Sequence, residues 1–227
     1  ENSTNPKIHP TGHTYVCVIN GWARTQTKHC GRQAEAILER MIHRYKQGLL
    51  ESPPNTIAYN SVIDAWAKSR STFGAERAEA ILAEMENSAD PSFAPNRITY
   101  HTVIHAWTKS GSEDSGRRAE NILMRMNQKV EHGQTRFVAT TNTFTQVIAA
   151  WSNSGADEAP ERVEQILTLM EESPYYEQRP CFATYELVYD TWKNRLDFKG
   201  KQMRRDISER WNKWKVLTKR DGTMLDQ

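Results

Sequence analysis

Residues 54–68 read PNTIAYNSVIDAWAK, with Tyr59, Val62, Ile63 and Trp66 as its large apolar side chains. An aromatic at i with apolar residues at i+3, i+4 and i+7 marks one face of an α-helix. The phrase recurs as TYVCVINGW, TYHTVIHAW, TFTQVIAAW and TYELVYDTW, so that Trp22, Trp66, Trp107, Trp151 and Trp192 stand 44, 41, 44 and 41 residues apart. Seven residues before the tryptophans come Tyr15, Tyr59, Tyr100, Phe144 and Tyr185; four before them come Val18, Val62, Val103, Val147 and Val188. Self-similarity at such a period is the mark of stacked supersecondary units.

A second element begins twelve residues after each of the first four tryptophans, as AEAILERM, AEAILAEM, AENILMRM and VEQILTLM. These segments are rich in strong helix formers, and positions such as Ala78, Ile81, Leu82 and Met85 form one apolar stripe. Gly- and Ser-bearing turns (SRSTFG, SGSEDSG, SNSGADEAP) separate the two elements, and Pro160 suits a first helical turn. Length varies only in the next connection, where Met41 to Tyr59 is 18, Met85 to Tyr100 is 15, Met126 to Phe144 is 18 and Met170 to Tyr185 is 15. Pro10, Pro54, Pro95 and Pro180 each stand five residues before the aromatic and end the incoming loop.

The pattern predicts an all-α solenoid of about five helical hairpins of 41–44 residues. The units are 10–53, 54–94, 95–138, 139–179 and 180–220, with 1–9 the tail of a preceding unit or a linker and 221–227 a C-terminal tail. In the fifth unit a helix over about 201–218 keeps Ile207, Trp211, Trp214 and Leu217 on one face and crowds the other with Lys and Arg. One packed side and one wet side is the pattern of a terminal capping helix.

The chain has 227 residues, 37% hydrophobic and 26% charged, with seven tryptophans, which is ample for a packed core and far from disorder. No apolar run approaches the roughly 18 residues of a membrane span, so no membrane association is expected. Cys17, Cys30 and Cys181 are too few and too scattered for a disulfide framework, and a reducing compartment fits them best. The start, ENSTNPKIHP, shows neither a signal-peptide core nor an Arg-rich amphipathic transit pattern, and its Asn2-Ser3-Thr4 sequon reads as a chance triplet. Residues 1–192 hold 19 Lys+Arg against 23 Asp+Glu, whereas 193–227 hold 11 against 5, so basic character sits at the C-terminal end.

The phrase P-N-x-x-x-Y-N-x-x-I-x-A-x-x-K followed by A-x-x-I-L-x-x-M stands nearly whole in PNTIAYNSVIDAWAK…AERAEAILAEM and again in PNRITYHTVIHAWTK…RRAENILMRM. In these columns, over about residues 10–220, the chain resembles the pentatricopeptide repeat family; the tetratricopeptide class fits them less well. Units of that family are usually about 35 residues, and the extra residues here fall in the turns and connections, which changes the superhelical pitch. The resemblance implies a right-handed superhelix that binds single-stranded RNA along the concave face of its first helices, in a mitochondrion or plastid, one base per unit.

In that family the base choice lies in the residue after the aromatic and the residue after the next unit's proline. Carried over, the first column is Val16, Asn60, His101, Thr145 and Glu186; the second is Asn55, Asn96, Thr140 and Cys181. Asn60 with Asn96 resembles a pyrimidine-preferring pair, and Thr145 resembles a purine-type first residue opposite an unusual Cys181. Val16 and Glu186 match the family poorly, and a carboxylate repels a phosphate backbone. Two residues after the tryptophans stand Arg24, Lys68 and Lys109, then Asn153 and Asn194. The resemblance implies phosphate contacts for the three cations; a favourable cation at a helix C-terminus is the other reading.

His101 and His105 have the i, i+4 spacing of a metal pair but no spaced third ligand, so polar groove residues describe them better. Gly111–Gly116 has phosphate-loop glycine spacing, but Arg117-Arg118 follows it and it lies between two helices, which makes it a hairpin turn. Trp211 and Trp214, among Lys and Arg, read either as cap packing or as a surface that stacks on RNA or docks a partner. No carboxylate pair or nucleophile–base set stands out, so neither catalysis nor a cofactor is expected. The two functional readings are RNA binding for processing, stability or translation, and a protein-binding scaffold such as one in an organellar ribosome or assembly complex. The oligomeric expectation is a monomer or a weak end-to-end dimer.

Overall fold

The computed structural model describes residues 10–193 and 195–220, with side chains described to residue 216; the flanking segments 1–9 and 221–227 and Asn194 lie outside it. Among the described residues the chain is all-helical. Ten α-helices follow one another: α1 Gly12–Thr25, α2 Cys30–Lys46, α3 Thr56–Lys68, α4 Thr72–Asn87, α5 Arg97–Ser110, α6 Ser115–Glu131, α7 Thr141–Ser154, α8 Ala159–Glu172, α9 Phe182–Lys193 and α10 Phe198–Arg220. Short 3-10 turns at Pro91–Phe93, Thr135–Phe137 and Tyr176–Gln178 interrupt three of the connections.

The starts of α1, α3, α5 and α7 have one local cause. Thr11, Asn55, Asn96 and Thr140 sit in extended backbone, and each side chain accepts the N–H three residues on, from Thr14, Ala58, Thr99 and Thr143. Such N-caps satisfy an orphan donor and are worth about 1 kcal/mol each. Gly111 (φ 68°) and Gly155 (φ 70°) close α5 and α7 in the left-handed region that glycine enters without strain.

The odd helices form a row, α1 on α3, α3 on α5, α5 on α7 and α7 on α9, and α2, α4, α6 and α8 each pack on the odd helices before and after them. The valine column explains the row. Val62, Val103, Val147 and Val188 are fully buried, whereas Val18 is 43% exposed because no described helix covers that side of α1. The tryptophans fill the joints between helix pairs: Trp66, Trp107, Trp151 and Trp192 are at most 4% exposed.

Each of three joints is fastened by the same clasp. Trp66 Nε1 donates to Glu35 Oε2, Trp107 Nε1 to Glu79 Oε2 and Trp151 Nε1 to Glu120 Oε2, all at 2.9 Å. The same carboxylates take an arginine from the following even helix: Arg77 on Glu35, Arg118 and Arg125 on Glu79, Arg162 on Glu120. The fourth joint differs. Arg210 of α10 holds both Glu164 (3.0 Å) and Glu171 (2.7 Å), and the buried Trp192 Nε1 has no partner among the described residues.

Features also return after two helix pairs, one 44-residue and one 41-residue step together. Gly31 and Gly116 both lie under an indole, where a Cβ would come within 2.2 Å of the Trp66 ring and 2.3 Å of the Trp151 ring. Cys30 Sγ donates to the Ala65 carbonyl and Ser115 Oγ to the Ala150 carbonyl, both at 3.0 Å. Thr56 Oγ1 donates to the Ala94 carbonyl (2.9 Å), and Thr141 Oγ1 to the Arg179 carbonyl (2.7 Å). Tyr100 Oη donates to Glu86 and Tyr185 Oη to Glu171. The elementary unit of packing is thus a pair of hairpins.

Candidate nucleic-acid interface

The residues of the two base-reading columns lie at the N-terminal ends of the odd helices. Asn55, Asn96 and Thr140 are the N-caps just described, so their side-chain oxygens already serve the backbone. Cys181 stands before α9, half-buried, with its Sγ 3.4 Å from Thr184 Oγ1. Val16 is half-buried against the core, and Glu186 is exposed on α9.

One cross-helix pair meets directly. Asn60 Nδ2 donates to Asn96 Oδ1 at 3.4 Å, and that oxygen also accepts the Thr99 N–H at 3.0 Å. Because Asn96 Oδ1 is committed as an acceptor, the neighbouring Asn60 must present its NH2 group, which fixes its amide orientation. Asn60 Oδ1 is then buried with no partner among the described residues. Asn96 is exposed, and its NH2 group makes no hydrogen bond among the described residues.

Elsewhere the columns pair differently. His101 Nε2 accepts from Asn142 Nδ2 (3.4 Å) rather than meeting Thr140. Thr145 Oγ1 donates to the Thr141 carbonyl (2.8 Å) and lies 3.1 Å from Thr184 Oγ1 rather than meeting Cys181. Asn142 occupies the place, three residues before the first column, that Ile57 and Ile98 hold in α3 and α5. Those isoleucines are 62% and 61% exposed. The offset was readable in the sequence, but an aliphatic residue on a helix gives no sign by itself that it faces solvent.

At the other end of the odd helices, Arg24 and Lys109 are exposed in their last turns, while Lys68 is held by Asp64 at 2.6 Å. Asn153 is exposed, and Asn194 lies outside the described residues. His101 and His105 are half-buried, and burial holds both imidazoles below their ordinary pKa. For His105 the nearby His101 and Lys109 act in the same direction and Asp64 opposes them. No group of three potential metal ligands comes together among the described residues. Nor is any described helix long and apolar enough to cross a membrane. Burial raises the Cys30 thiol, which makes it a packing residue rather than a nucleophile.

Compared with known proteins, the chain matches no family model, no curated protein and no solved structure.

Proposed function

We propose that the chain is a non-catalytic, pentatricopeptide-like helical-repeat protein of an organelle. In this reading the hairpins wind into a right-handed solenoid and the first helices bind single-stranded RNA in support of its processing, stability or translation. The observation that carries it is the Asn60–Asn96 contact: two amides held side by side on adjacent helices, with the exposed Asn96 NH2 group making no hydrogen bond among the described residues. Donors of this kind match the carbonyl acceptors of a pyrimidine edge. The exposed Ile57 and Ile98 stand one turn before Asn60 and His101, where aliphatic faces can cover a base. Arg24 and Lys109 supply sequence-blind attraction at the far ends of their helices.

A protein-binding scaffold is the second reading, favoured by a separate feature. Phe182, Glu186, Tyr189 and Trp211 surround an apolar recess of about 220 Å³ between α9 and α10, suited to a partner's side chain. Binding to a randomised pool of single-stranded RNA separates the two. Enrichment of a pyrimidine at one position, lost in Asn60→Ala, supports base reading; absence of binding leaves the scaffold.

A further inference from the structure

The N-terminal ends of the odd helices carry charge and aromatic groups that the groove reading leaves unused. Between the 3-10 turns before α7 and α9 lies an open recess of about 680 Å³, whose walls include Arg97, Arg136, Val138, Tyr175, Tyr176 and Glu177. Tyr175 and Tyr176 are 42% and 48% exposed. Arg179 lies over the Tyr176 ring at 5.6 Å, and Arg136 over the Phe137 ring at 5.0 Å, which holds both guanidinium groups at defined places. Arg97 meets Glu177 at 3.1 Å, an exposed pair that gives way readily to a competing anion.

The opposite edge has the opposite sign. Between the hairpin turns of α5–α6 and α7–α8 lies a recess walled by Glu113, Asp114, Asp157 and Glu158, with Arg117 paired to Glu158 at 2.9 Å. The Arg97–Arg136–Arg179 edge therefore offers a polyanion more positive charge than the hairpin-turn edge, where these carboxylates offset Lys109 and Arg117.

The two-hairpin period supplies an internal control. The same turn is built one period earlier, where Thr56 pins the Ala94 carbonyl as Thr141 pins the Arg179 carbonyl. In that earlier copy Gly12 stands for Arg97, Glu51 for Arg136, Asp90 for Tyr175, Pro91 for Tyr176 and Ala94 for Arg179. The 3-10 turn at Pro91–Phe93 matches that at Tyr176–Gln178, so that wall forms without the tyrosines or Arg179; the 3-10 turn that carries Arg136 has no counterpart at residues 50–52, which form a bend.

From this we infer that the recess between residues 135–138 and 174–179 is a binding site for a nucleoside phosphate. The phosphate sits on the Arg97 and Arg136 guanidinium forks, and the base stacks on Tyr175 or Tyr176. Guanidinium forks match phosphate oxygens, and every base offers a face to an aromatic ring. The site adjoins Asn96 through Arg97, but it uses neither the Asn60 nor the Asn96 amide and does not depend on their reading a base.

The test is fluorescence anisotropy with the full chain and a labelled twelve-nucleotide oligouridine, alongside free UMP and AMP as competitors. Arg136→Gln and Tyr176→Ala, both at exposed positions, are expected to lower strand affinity at least fivefold while far-UV circular dichroism stays unchanged. Arg136→Gln is expected to reduce the slope of log K against log salt by about 0.7, and Tyr176→Ala to leave that slope alone. Competition by millimolar UMP or AMP, lost in Arg136→Gln, assigns the site to isolated nucleotides. A response confined to the strand assigns it to a nucleotide within RNA. Unchanged affinity and slope in both variants overturns the site, and a loss in Asn60→Ala alone then leaves the groove reading standing. Displacement by poly-glutamate with no effect of Tyr176→Ala overturns it in favour of an acidic peptide, and absence of binding by strand and nucleotide overturns it outright.

Discussion

Replacing Glu120 by alanine removes the acceptor shared by Trp151 and Arg162 at the joint between α6 and the α7–α8 pair. The Trp151 indole is 2% exposed, so its N–H cannot turn to water and loses its partner at 2.9 Å. An orphaned buried donor costs about 1–3 kcal/mol. Arg162, with 37% of its side chain exposed, can rehydrate, so its lost ion pair adds no more than about 1 kcal/mol. The expected loss is about 2–3 kcal/mol, read by urea unfolding, with faster amide exchange concentrated in α6–α8. Glu113→Ala, at an exposed turn, is the control and changes stability by less than about 0.5 kcal/mol. A cycle with Trp151→Phe, which deletes the N–H, should show a coupling of at least about 0.5 kcal/mol, since the glutamate then has less to satisfy. A Glu120→Ala loss no larger than that of Glu113→Ala, or an additive cycle, would refute the clasp as the fastening between helix pairs.

Gly116→Ala drives a Cβ to 2.3 Å from the Trp151 ring and is expected to lower stability by about 2–3 kcal/mol. Gly21→Ala, in α1 with nothing within 4 Å, should raise it by about 0.5–1 kcal/mol in the same melts. Asn96→Ala removes both cap and amide, so it should cost about 1 kcal/mol and weaken RNA binding; Asn96→Ser restores the cap and so the stability, but not the base preference. Burial holds His101 and His105 below the ordinary 6.5, so the unfolded chain takes up protons first. Stability is therefore full above about pH 6.5 and falls as pH drops further, with a flatter profile for the His101→Asn/His105→Asn double variant; under the proposed RNA-binding function, RNA affinity is expected to rise over the same range as the groove gains charge.

The helix row was legible because a buried face has to repeat wherever the same neighbour repeats. The Trp, Val and Ile columns, the Ala78–Met85 stripe and the hairpin turn at Gly111 all occupy the places that periodicity assigns them. Deviations fall where the neighbour is absent, as at Val18, or where a local cap acts. Asp197 Oδ1 accepts the Gly200 N–H at 2.7 Å, so α10 starts at Phe198 rather than near 201. The side chain of Leu217, assigned to its packed face, lies outside the described residues. The clasp was visible only as an Arg-x-Glu spacing, Arg77 with Glu79, Arg118 with Glu120 and Arg162 with Glu164. Its meaning lies in partners 28 to 46 residues away, which short-range periodicity does not register. The two-hairpin period was present in the alternating 44- and 41-residue steps. At the candidate site the two columns named Asn60 and Asn96, which do touch, but the pairing of Lys68 with Asp64 and of His101 with Asn142 was not legible, since either polar side chain could equally face solvent.

The proposed function stands or falls on base reading in single-stranded RNA by the Asn60–Asn96 pair. Selection from a randomised RNA pool, repeated with Asn60→Ala and with Lys109→Ala, tests it most directly. An enriched motif with a pyrimidine at one fixed place is expected, erased in Asn60→Ala and kept at weaker, less salt-dependent affinity in Lys109→Ala. A motif that survives Asn60→Ala unchanged, or a pool that the chain does not bind, would contradict it.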